Sequence, residues 1–296
     1  GTVKYLIGAR NARNIAITGP GEVNASGPTF FDQNELKPNG NFARKPDQRP
    51  RILMLYKCCD VTIEGGSFID SPCWTFWLML CERVHVHRIK ILGDQRMINN
   101  DGIDLDGCKD VTISDCVMRT DDDCIILRAM QPVHDTPVIC ENVTVTNCVL
   151  ESTCQCVRIS CPSDYITRNC VFSNLVMKSA VNGINFDFPP KYLEGDKGLA
   201  DVSNISFSNI RIDCKAHPVR IDVKEGITLG GIRGISFSGV RCTSTAPCII
   251  RGNASTLIED VSFDNVQINT SGEQGIVCTN CKGVKFNNVE VNNLPA

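Results

Sequence analysis

The sequence predicts an all-β fold, a single-stranded right-handed parallel β-helix (a solenoid) of about ten coils. Two observations predict it: a short strand pattern recurs along the 296 residues, and no window shows sustained helical periodicity. Each copy alternates apolar residues with polar ones, mostly Thr or Ser, as expected of a strand with one buried face. The apolar residues are mainly Val, Ile and Phe, which suit a pleated surface.

The copies of this strand pattern follow one another at a fairly regular spacing. Successive copies lie 23 to 34 residues apart, except for a first step of 46 that holds an inserted loop at residues 27–50. Repeats of this length are typical of solenoids, in which each coil buries its apolar side against its neighbours. Strands of successive coils would then run parallel, roughly 4.8 Å apart. Counted at one apolar residue per copy, the repeat falls at Ile15, Val61, Val84, Val111, Val143, Val171, Ile205, Ile235, Val261 and Val284.

Composition and charge limit the kinds of partner. No linker or low-complexity stretch interrupts the repeat, so residues 1–296 are expected to form one elongated domain, and we expect a monomer. A net charge of −3 with interspersed signs argues against nucleic acid or an anionic membrane as a partner. No apolar stretch is long enough to span a bilayer.

The 18 cysteines have two broad interpretations. The favoured one is that small apolar thiols stack in ladders inside the coils. Disulfides are less expected, because dense disulfide frameworks are typical of small secreted domains, although the pair Cys278 and Cys281 could oxidise. A zinc site at Cys154, Cys156 and Cys161 matches no strong zinc spacing. Six cysteines are separated from one another by multiples of eight residues: Cys108, Cys116, Cys124, Cys140, Cys148 and Cys156.

Four carboxylates lie within one period of the repeat. They are Asp101 and Asp104, followed by Asp122 and Asp123. If one repeat is one coil, these acids stack on one strip of one face. Crowded carboxylates repel one another, so one tends to keep its proton near neutral pH while another stays charged. That combination suits general acid/base cleavage of a glycosidic bond.

Other carboxylates of this region have structural interpretations. Asp side chains form turns and ladders in solenoids by bonding to backbone amides. This interpretation is favoured for Asp106, Asp110, Asp115 and Asp121. A calcium site at Asp101, Asp104 and Asp106 is a further alternative, although the full calcium-loop pattern is missing.

Four segments together resemble family 28 of the glycoside hydrolases, the polygalacturonases and their relatives. They are Arg49-Pro50-Arg51-Ile52, Ser71-Pro72-Cys73-Trp74, Asn99-Asn100-Asp101-Gly102-Ile103-Asp104 and Asp122-Asp123-Cys124-Ile125. The resemblance runs from about residue 5 onward, and the family's helix is expected to lack its N-terminal start here. It implies an open cleft across the side of the helix, hydrolysis with inversion, no metal or other cofactor, and a secreted or periplasmic location.

The resemblance also assigns roles to the acids. Asp122 would be the general acid that protonates the departing glycosidic oxygen, and Asp101 and Asp123 would position and deprotonate the attacking water. The chemistry of inversion also requires two such carboxyl groups, an acid and a base roughly 6.5–9.5 Å apart with room for water between them. Asp104 is expected to support the cleft wall.

The sequence departs from the family's pattern at the substrate-binding positions. The family's Gly-His-Gly histidine falls here on Gln155, and its Arg-Ile-Lys pair falls on Asn185 and Asp187. That pair grips a substrate carboxylate, a task that suits Arg because of its paired donors, and an acid in its place would repel the carboxylate. Two cations could compensate, Arg128 and Arg158, although each could instead be a solvated edge charge.

The sequence thus predicts an enzyme that hydrolyses an O-glycosidic bond in a pectic or related polysaccharide. The alternatives are a non-catalytic solenoid that binds glycans and a polysaccharide lyase, which the aspartates fit poorly. Among the aromatic residues, Trp74 and Trp77 are expected to pack in the core. Tyr192, on a loop, is a weaker candidate for a sugar platform.

Overall fold

The computed structural model describes residues 3–130, 137–193 and 199–294. These residues form the predicted right-handed parallel β-helix. None of its helices is long and apolar enough to cross a membrane, within the residues described. The strands are β1 (Tyr5–Arg10), β2 (Arg13–Thr18), β3 (Glu22–Asn24), β4 (Phe31–Leu36), β5 (Phe42–Arg44), β6 (Arg51–Tyr56), β7 (Cys59–Glu64), β8 (Ser67–Ile69), β9 (Phe76–Met79), β10 (Glu82–His87), β11 (Lys90–Leu92), β12 (Ile103–Asp106), β13 (Lys109–Ser114), β14 (Val117–Thr120), β15 (Ile125–Arg128), β16 (Ile139–Thr146), β17 (Val149–Ser152), β18 (Gln155–Ile159), β19 (Ile166–Ser179), β20 (Asn182–Phe188), β21 (Asp201–Cys214), β22 (Val219–Val223), β23 (Gly231–Ser238), β24 (Arg241–Ser244), β25 (Cys248–Arg251), β26 (Ile258–Thr270), β27 (Ile276–Thr279), β28 (Cys281–Lys282) and β29 (Lys285–Asn293), with short 3-10 helices at Gly27–Phe30 and Pro190–Tyr192.

Each coil contributes strands to two sheets. One sheet has ten parallel strands in the order β1, β6, β9, β12, β15, β18, β20, β22, β25 and β27, one for each coil. The other has seventeen strands in two parallel columns, which are joined where single strands such as β19, β21 and β26 run through both. The ten-stranded sheet confirms the expected number of coils.

The register confirms the repeat and corrects one position in it. Val61 pairs with Val84, Val84 with Val111 and Val111 with Val143, so equivalent residues stack as predicted. In the sixth copy the partner of Val143 is Cys170, not Val171. Val171 is 42% exposed, because residues one apart in a strand point to opposite faces.

The interior of the helix is a continuous apolar core. Phe207 is fully buried and stacks on Phe172 and Phe237, with ring centroids 4.8 and 5.2 Å apart. All eighteen cysteines are free thiols and thirteen are buried, which agrees with apolar packing. Cys58, Cys81 and Cys108 occupy equivalent positions in three successive coils, and their thiols lie in this core.

Asparagines and aspartates make the corners between strands. Asn142, Asn169 and Asn204 adopt the left-handed conformation, with φ of 58°, 55° and 54°. Asn tolerates this conformation better than most residues. Each amide bonds to the equivalent position of a neighbouring coil, and Asn142 Nδ2 also donates to Asp110 Oδ1 at 2.8 Å. A ladder role for Asp110, as predicted, follows from this contact.

The inserted loop is an ordered flap with a small core of its own. β4 and β5 pair antiparallel, and Phe31, Phe42 and Met97 form a second hydrophobic cluster. Asn41 Nδ2 donates to Asp121 Oδ1 at 2.8 Å, which ties the flap to the coil that carries the predicted acids.

Candidate active site

The candidate site is a cleft on the outer face of the ten-stranded sheet. It runs across β12, β15, β18, β20 and β22, and its cavity has a volume of about 470 Å³. All nine residues that the sequence nominated line it: Asp101, Asp104, Asp122, Asp123, Arg128, Gln155, Arg158, Asn185 and Asp187. Inward residues of the same strands belong to the core, so alternation aims Asp104, Arg128, Arg158, Asn185 and Asp187 outward. Asp101, Asp122 and Asp123 lie in the segments just before β12 and β15, and Gln155 is the first residue of β18.

Register brings Asp101 and Asp123 side by side. Ile103 pairs with Ile125, and the Gly102 amide donates to the Asp123 carbonyl at 2.8 Å. Extending this register by two residues places Asp101 beside Asp123, so the local step is 22 residues rather than the 21 that separate Asp101 from Asp122. Asp122 is therefore offset by one residue and lies half-buried, whereas Asp101 and Asp123 are 4% and 2% exposed.

The buried carboxyls of this group hold protons unusually tightly. Burial and the neighbouring charge of Asp122 raise the pKa of Asp101 well above its ordinary value. The same two causes raise the pKa of Asp123 to about 7. Burial and the charge of Asp123 raise the pKa of Asp104. One oxygen of each of these three carboxyls is buried without a hydrogen-bond partner, so the group as a whole keeps a proton near neutral pH.

Asp122 is held by neighbours on two sides. Asn99 Nδ2 donates to Asp122 Oδ2 at 3.3 Å, and the Asp123 amide donates to Asp122 Oδ1 at 3.1 Å. Asn99 is itself fixed by Arg49, whose Nη2 donates to Asn99 Oδ1 at 3.0 Å. Arg49 Nη1 donates to the carbonyls of Pro72 and Ile98. The sequence motifs contain Arg49 and Asn99, but nothing in their spacing revealed this contact.

The two tryptophans lie outside the core, contrary to prediction. Trp77 pairs with Asp104 on the outward row of the sheet, and Trp74 lines the cavity. The Arg51 guanidinium lies over both rings, 4.5 Å from the Trp74 centroid and 4.4 Å from that of Trp77. Alternation explains the place of Trp77, because Phe76 and Leu78 occupy the inward positions of the same strand, whereas Trp74 lies before the strand begins.

One trio could hold a metal ion on geometry alone. Ligand atoms of Asp122, Asp123 and Cys154 lie within 4.8 Å of one another. Burial and the charges of Asp122 and Asp123 raise the pKa of the Cys154 thiol, so it stays protonated and is a poor ligand. Gln155 pairs with Asn182 along the next rung and lies beside Asp123. Gln155, onto which the resemblance carries the family's histidine, thus lies beside the acids.

The two predicted compensating cations have different surroundings. Arg128 forms a paired interaction with the buried carboxylate of Asp164, with Nε–Oδ2 2.8 Å and Nη2–Oδ1 2.9 Å. Arg128 is thus neither a solvated edge charge nor a free cation. Arg158 is 8% exposed, lies 3.9 Å from Asp123 Oδ2 and stacks on Tyr192 at 4.9 Å. Arg158 is therefore not a solvated edge charge, and it lines the cavity.

The altered clamp positions have cationic neighbours that the sequence did not indicate. Asn185 pairs with Arg220 on the next rung, and Asp187 lies 3.3 Å from Arg220 Nη2. Asp222, which is 1% exposed, also binds Arg220 and Lys224. The expected repulsion by Asp187 is therefore offset. Arg220 lies 35 residues past Asn185, and only a known register could have linked the two.

A row of clustered carboxyls in an open groove across a parallel β-helix defines a site for acid–base chemistry on an extended ligand. The family model of glycosyl hydrolases family 28 matches residues 1–292, and the chain belongs to this family. The resemblance seen in the sequence motifs is thereby confirmed.

Curated relatives agree with this family at low identity. The chain is 23% identical over 263 residues to a probable polygalacturonase of Arabidopsis thaliana, which covers 88% of this chain and 52% of the relative. It is 22% identical over 287 residues to an exopolygalacturonase of Zea mays, covering 91% and 66%. The chain thus spans about half to two thirds of the length of these relatives.

Solved structures confirm the fold. An exopolygalacturonase from Thermotoga maritima superposes with a TM-score of 0.70 at 20% identity, over 84% of this chain and 56% of that one. A polygalacturonase from Erwinia carotovora gives 0.66 at 16% identity, over 96% and 70%.

Proposed function

We propose that this protein is an inverting glycoside hydrolase that cleaves an O-glycosidic bond in a pectic or related polysaccharide. One observation carries the proposal: Asp101, Asp122 and Asp123 face one cavity that continues beyond Asp122. Asp122 and Cys154 line this cavity and also a neighbouring one of about 500 Å³. A glycan that occupied both cavities would pass over Asp122. The glycosidic bond between the sugars on either side of this residue would then lie next to its carboxyl group.

The roles are those that the family resemblance implies, and the exposure of the three side chains supports them. Asp122 is the most exposed of the three and would protonate the leaving oxygen. Asp101 and Asp123, which are deeper and in register, would hold the attacking water and take its proton. Carboxylate oxygens of Asp122 and Asp123 lie within 4.8 Å of one another, closer than the roughly 6.5–9.5 Å expected between the acid and base of an inverting enzyme, so inversion is proposed here on the family resemblance. A cluster that keeps one proton and at least one negative charge near neutral pH supplies both forms that inversion requires. No metal or other cofactor takes part in this proposal.

Matched amide substitutions test the assignment. Asp122→Asn, Asp101→Asn and Asp123→Asn are each expected to lower kcat about 10²- to 10⁴-fold, because general acid/base groups contribute on that order. Asp110→Asn is the control, since Asp110 serves a corner ladder and Asn tolerates its φ of 55°. Turnover is measured as reducing ends released from a panel of pectic glycans. Full activity of Asp122→Asn would show that the acid is another residue.

Two further measurements separate this proposal from its alternatives. Proton NMR of the first product should show the inverted anomer. Ultraviolet absorbance of the products should stay flat, since a rise would indicate an unsaturated sugar and hence a lyase. Binding of glycans without release of reducing ends would favour the non-catalytic solenoid.

We also propose that the protein is secreted or periplasmic, beyond the cytoplasmic membrane, and acts as a monomer. A polysaccharide is too large to cross a membrane freely, so the enzyme must meet it there. Gel filtration of the purified protein tests the oligomeric state, and activity in the culture fluid of the source cells tests the location.

A further inference from the structure

The two ends of the cleft carry opposite charge. One end holds the acids described above. At the other end the carboxylates are Asp187 and Asp222. The cations there are Arg158, Lys191, Arg220, Lys224 and Arg251, of which the first three line the cavity. Among the residues that the structure describes, cations outnumber carboxylates at this end even when Asp123, 3.9 Å from Arg158, is counted. A cleft with an excess of one sign of charge concentrates ligands of the other sign.

Two arginines flank Asn185 on successive rungs. Arg158 pairs with Asn185 in the register of β18 and β20, and Asn185 pairs with Arg220 in that of β20 and β22. All three residues lie on one row of the sheet and line the cavity. Because rungs are roughly 4.8 Å apart, the two arginine backbones are roughly 10 Å apart. Both guanidinium groups are then within reach of a group bound over Asn185.

Buried polar atoms at this position have no partner. Asn185 is 3% exposed, and its Oδ1 lacks a hydrogen bond. Arg158 is 8% exposed, and its Nε lacks one as well. Buried donors and acceptors are normally paired, so these two atoms, whose residues line the cavity, are available to a bound ligand group. The ligand must offer an acceptor to the arginine and a hydroxyl donor to the amide oxygen, and a uronate ring carries both.

The existing ion pairs leave the two arginines available. Asp222 binds Lys224 at 2.6 Å as well as Arg220 at 2.9 Å, so it keeps a cationic partner if Arg220 turns toward a ligand. Arg158 lies 3.9 Å from Asp123, which is beyond hydrogen-bond length. An incoming carboxylate would therefore meet cations that are only partly neutralised.

We infer that Arg158 and Arg220 bind the carboxylate of an acidic sugar over Asn185. The contact that the family makes from its Arg and Lys is thereby rebuilt here from the rungs on either side. The inference rests on the proposed function only in taking a pectic glycan as the ligand. It makes these two arginines specificity-determining residues for an acidic sugar.

Binding is measured apart from turnover, by calorimetry on the full chain carrying Asp122→Asn. The probes are trigalacturonate and its methyl ester, which keeps the hydroxyls but lacks the charge. We expect the free acid to bind at least tenfold more tightly than the ester. Arg220→Gln and Arg158→Gln should each weaken binding of the acid about 10- to 100-fold and change binding of the ester little, because charge-assisted pairs are strong. Arg241→Gln, an exposed arginine of β24, is the control.

Each outcome bears on one claim. Equal binding of acid and ester, or unchanged binding of the acid by both variants, overturns the inference even if the wild type hydrolyses glycans. A preference for the acid that both variants lose, in a wild type that cleaves nothing, supports the inference and overturns the proposed function. If melting curves show that a glutamine variant is unfolded, Arg220→Lys and Arg158→Lys replace it. They keep the charge but lose the paired donors, so an intermediate loss is expected and no loss contradicts the inference.

Discussion

The side-chain amide of Asn99 donates a hydrogen bond to Asp122 Oδ2 at 3.3 Å across one rung of the helix. Arg49, at the end of the inserted segment, holds that amide from the other side. The orientation of the proposed acid thus depends on a residue 73 positions earlier in the chain. We call this chain of hydrogen bonds from Arg49 through Asn99 to Asp122 the relay.

Removal of the Asn99 amide should slow the chemical step. Asn99→Ala removes the amide donor to Asp122 Oδ2; at metal sites, partners that orient a functional side chain in this way are typically worth about 10- to 100-fold in activity. We expect kcat to fall about tenfold with KM nearly unchanged, measured by steady-state release of reducing ends. Asn269→Ala, at an amide on β26 bonded only to Asn292, is the matched control. A kcat equal to that of the control would contradict the relay.

Arg49→Lys should weaken both activity and stability. Arg49 donates to three oxygens, of Pro72, Ile98 and Asn99, and an ammonium group lacks the planar fork needed to reach all three. We expect kcat to fall several-fold and Tm to fall by a few degrees. Arg241→Lys, at an exposed position, should change neither. Calorimetric melting and initial rates check this, and a normal Tm with normal kcat would show that the three contacts are dispensable.

The stability of the fold should fall as pH rises toward 7 because of Asp106. Burial raises its pKa to about 7, against an ordinary 3.8, with the charge of Asp164 adding to this and Arg128 opposing it. The folded state then binds the proton more tightly than the unfolded chain, so the free energy of unfolding decreases between about pH 4 and pH 7 and is flat above. Asp106→Asn should therefore be more stable than the wild type at pH 8, by on the order of 2–4 kcal/mol, and gain little at pH 4.

Urea unfolding at several pH values measures this difference. Asp60→Asn is the control of opposite sign, because hydrogen bonds from Arg83 lower the pKa of Asp60. The charged form of Asp60 stabilises the fold at pH values above its ordinary pKa. Asp60→Asn should therefore lower the free energy of unfolding at neutral pH and have little effect in acid. A stability gap for Asp106→Asn that does not change with pH would contradict the assignment.

The phenylalanine stack should carry much of the stability of the C-terminal coils. Phe207 is fully buried between Phe172 and Phe237, and Phe→Ala in a core typically costs about 3–5 kcal/mol. Val171→Ala, at a side chain that is 42% exposed on the adjacent coil, should cost less than about 1 kcal/mol. The two are compared by urea midpoints, and similar midpoints would mean that the stack contributes little.

Chelation should leave activity unchanged. The trio of Asp122, Asp123 and Cys154 has ligand spacing, but the raised pKa of the thiol opposes metal binding. Dialysis against EDTA is expected to retain full kcat, and Cys154→Ser is expected to behave the same way. Loss of activity on dialysis that added zinc or calcium restores would reverse this expectation.

The sequence by itself determined the fold and nine of the residues that line the cleft. Strand alternation and a repeat of 23 to 34 residues are local properties, and they suffice for a parallel β-helix because each coil needs the next one to bury its apolar side. The repeat also predicted that the acids of successive coils lie together, and the family motifs supplied the other nominated residues; all nine line the cavity.

The tertiary structure alone decided which of these residues meet. Coils of unequal length shift the register, so a residue's lateral neighbour lies 22 positions along at Asp101 but 35 at Asn185. A shift of one residue also reverses which face a side chain occupies, which is why Trp77 lies outside the core between Phe76 and Leu78. The pairing of Arg128 with Asp164, the support of Asn99 by Arg49 and the place of Arg220 beside Asn185 depend on that register. The number of residues between two positions does not by itself give that register.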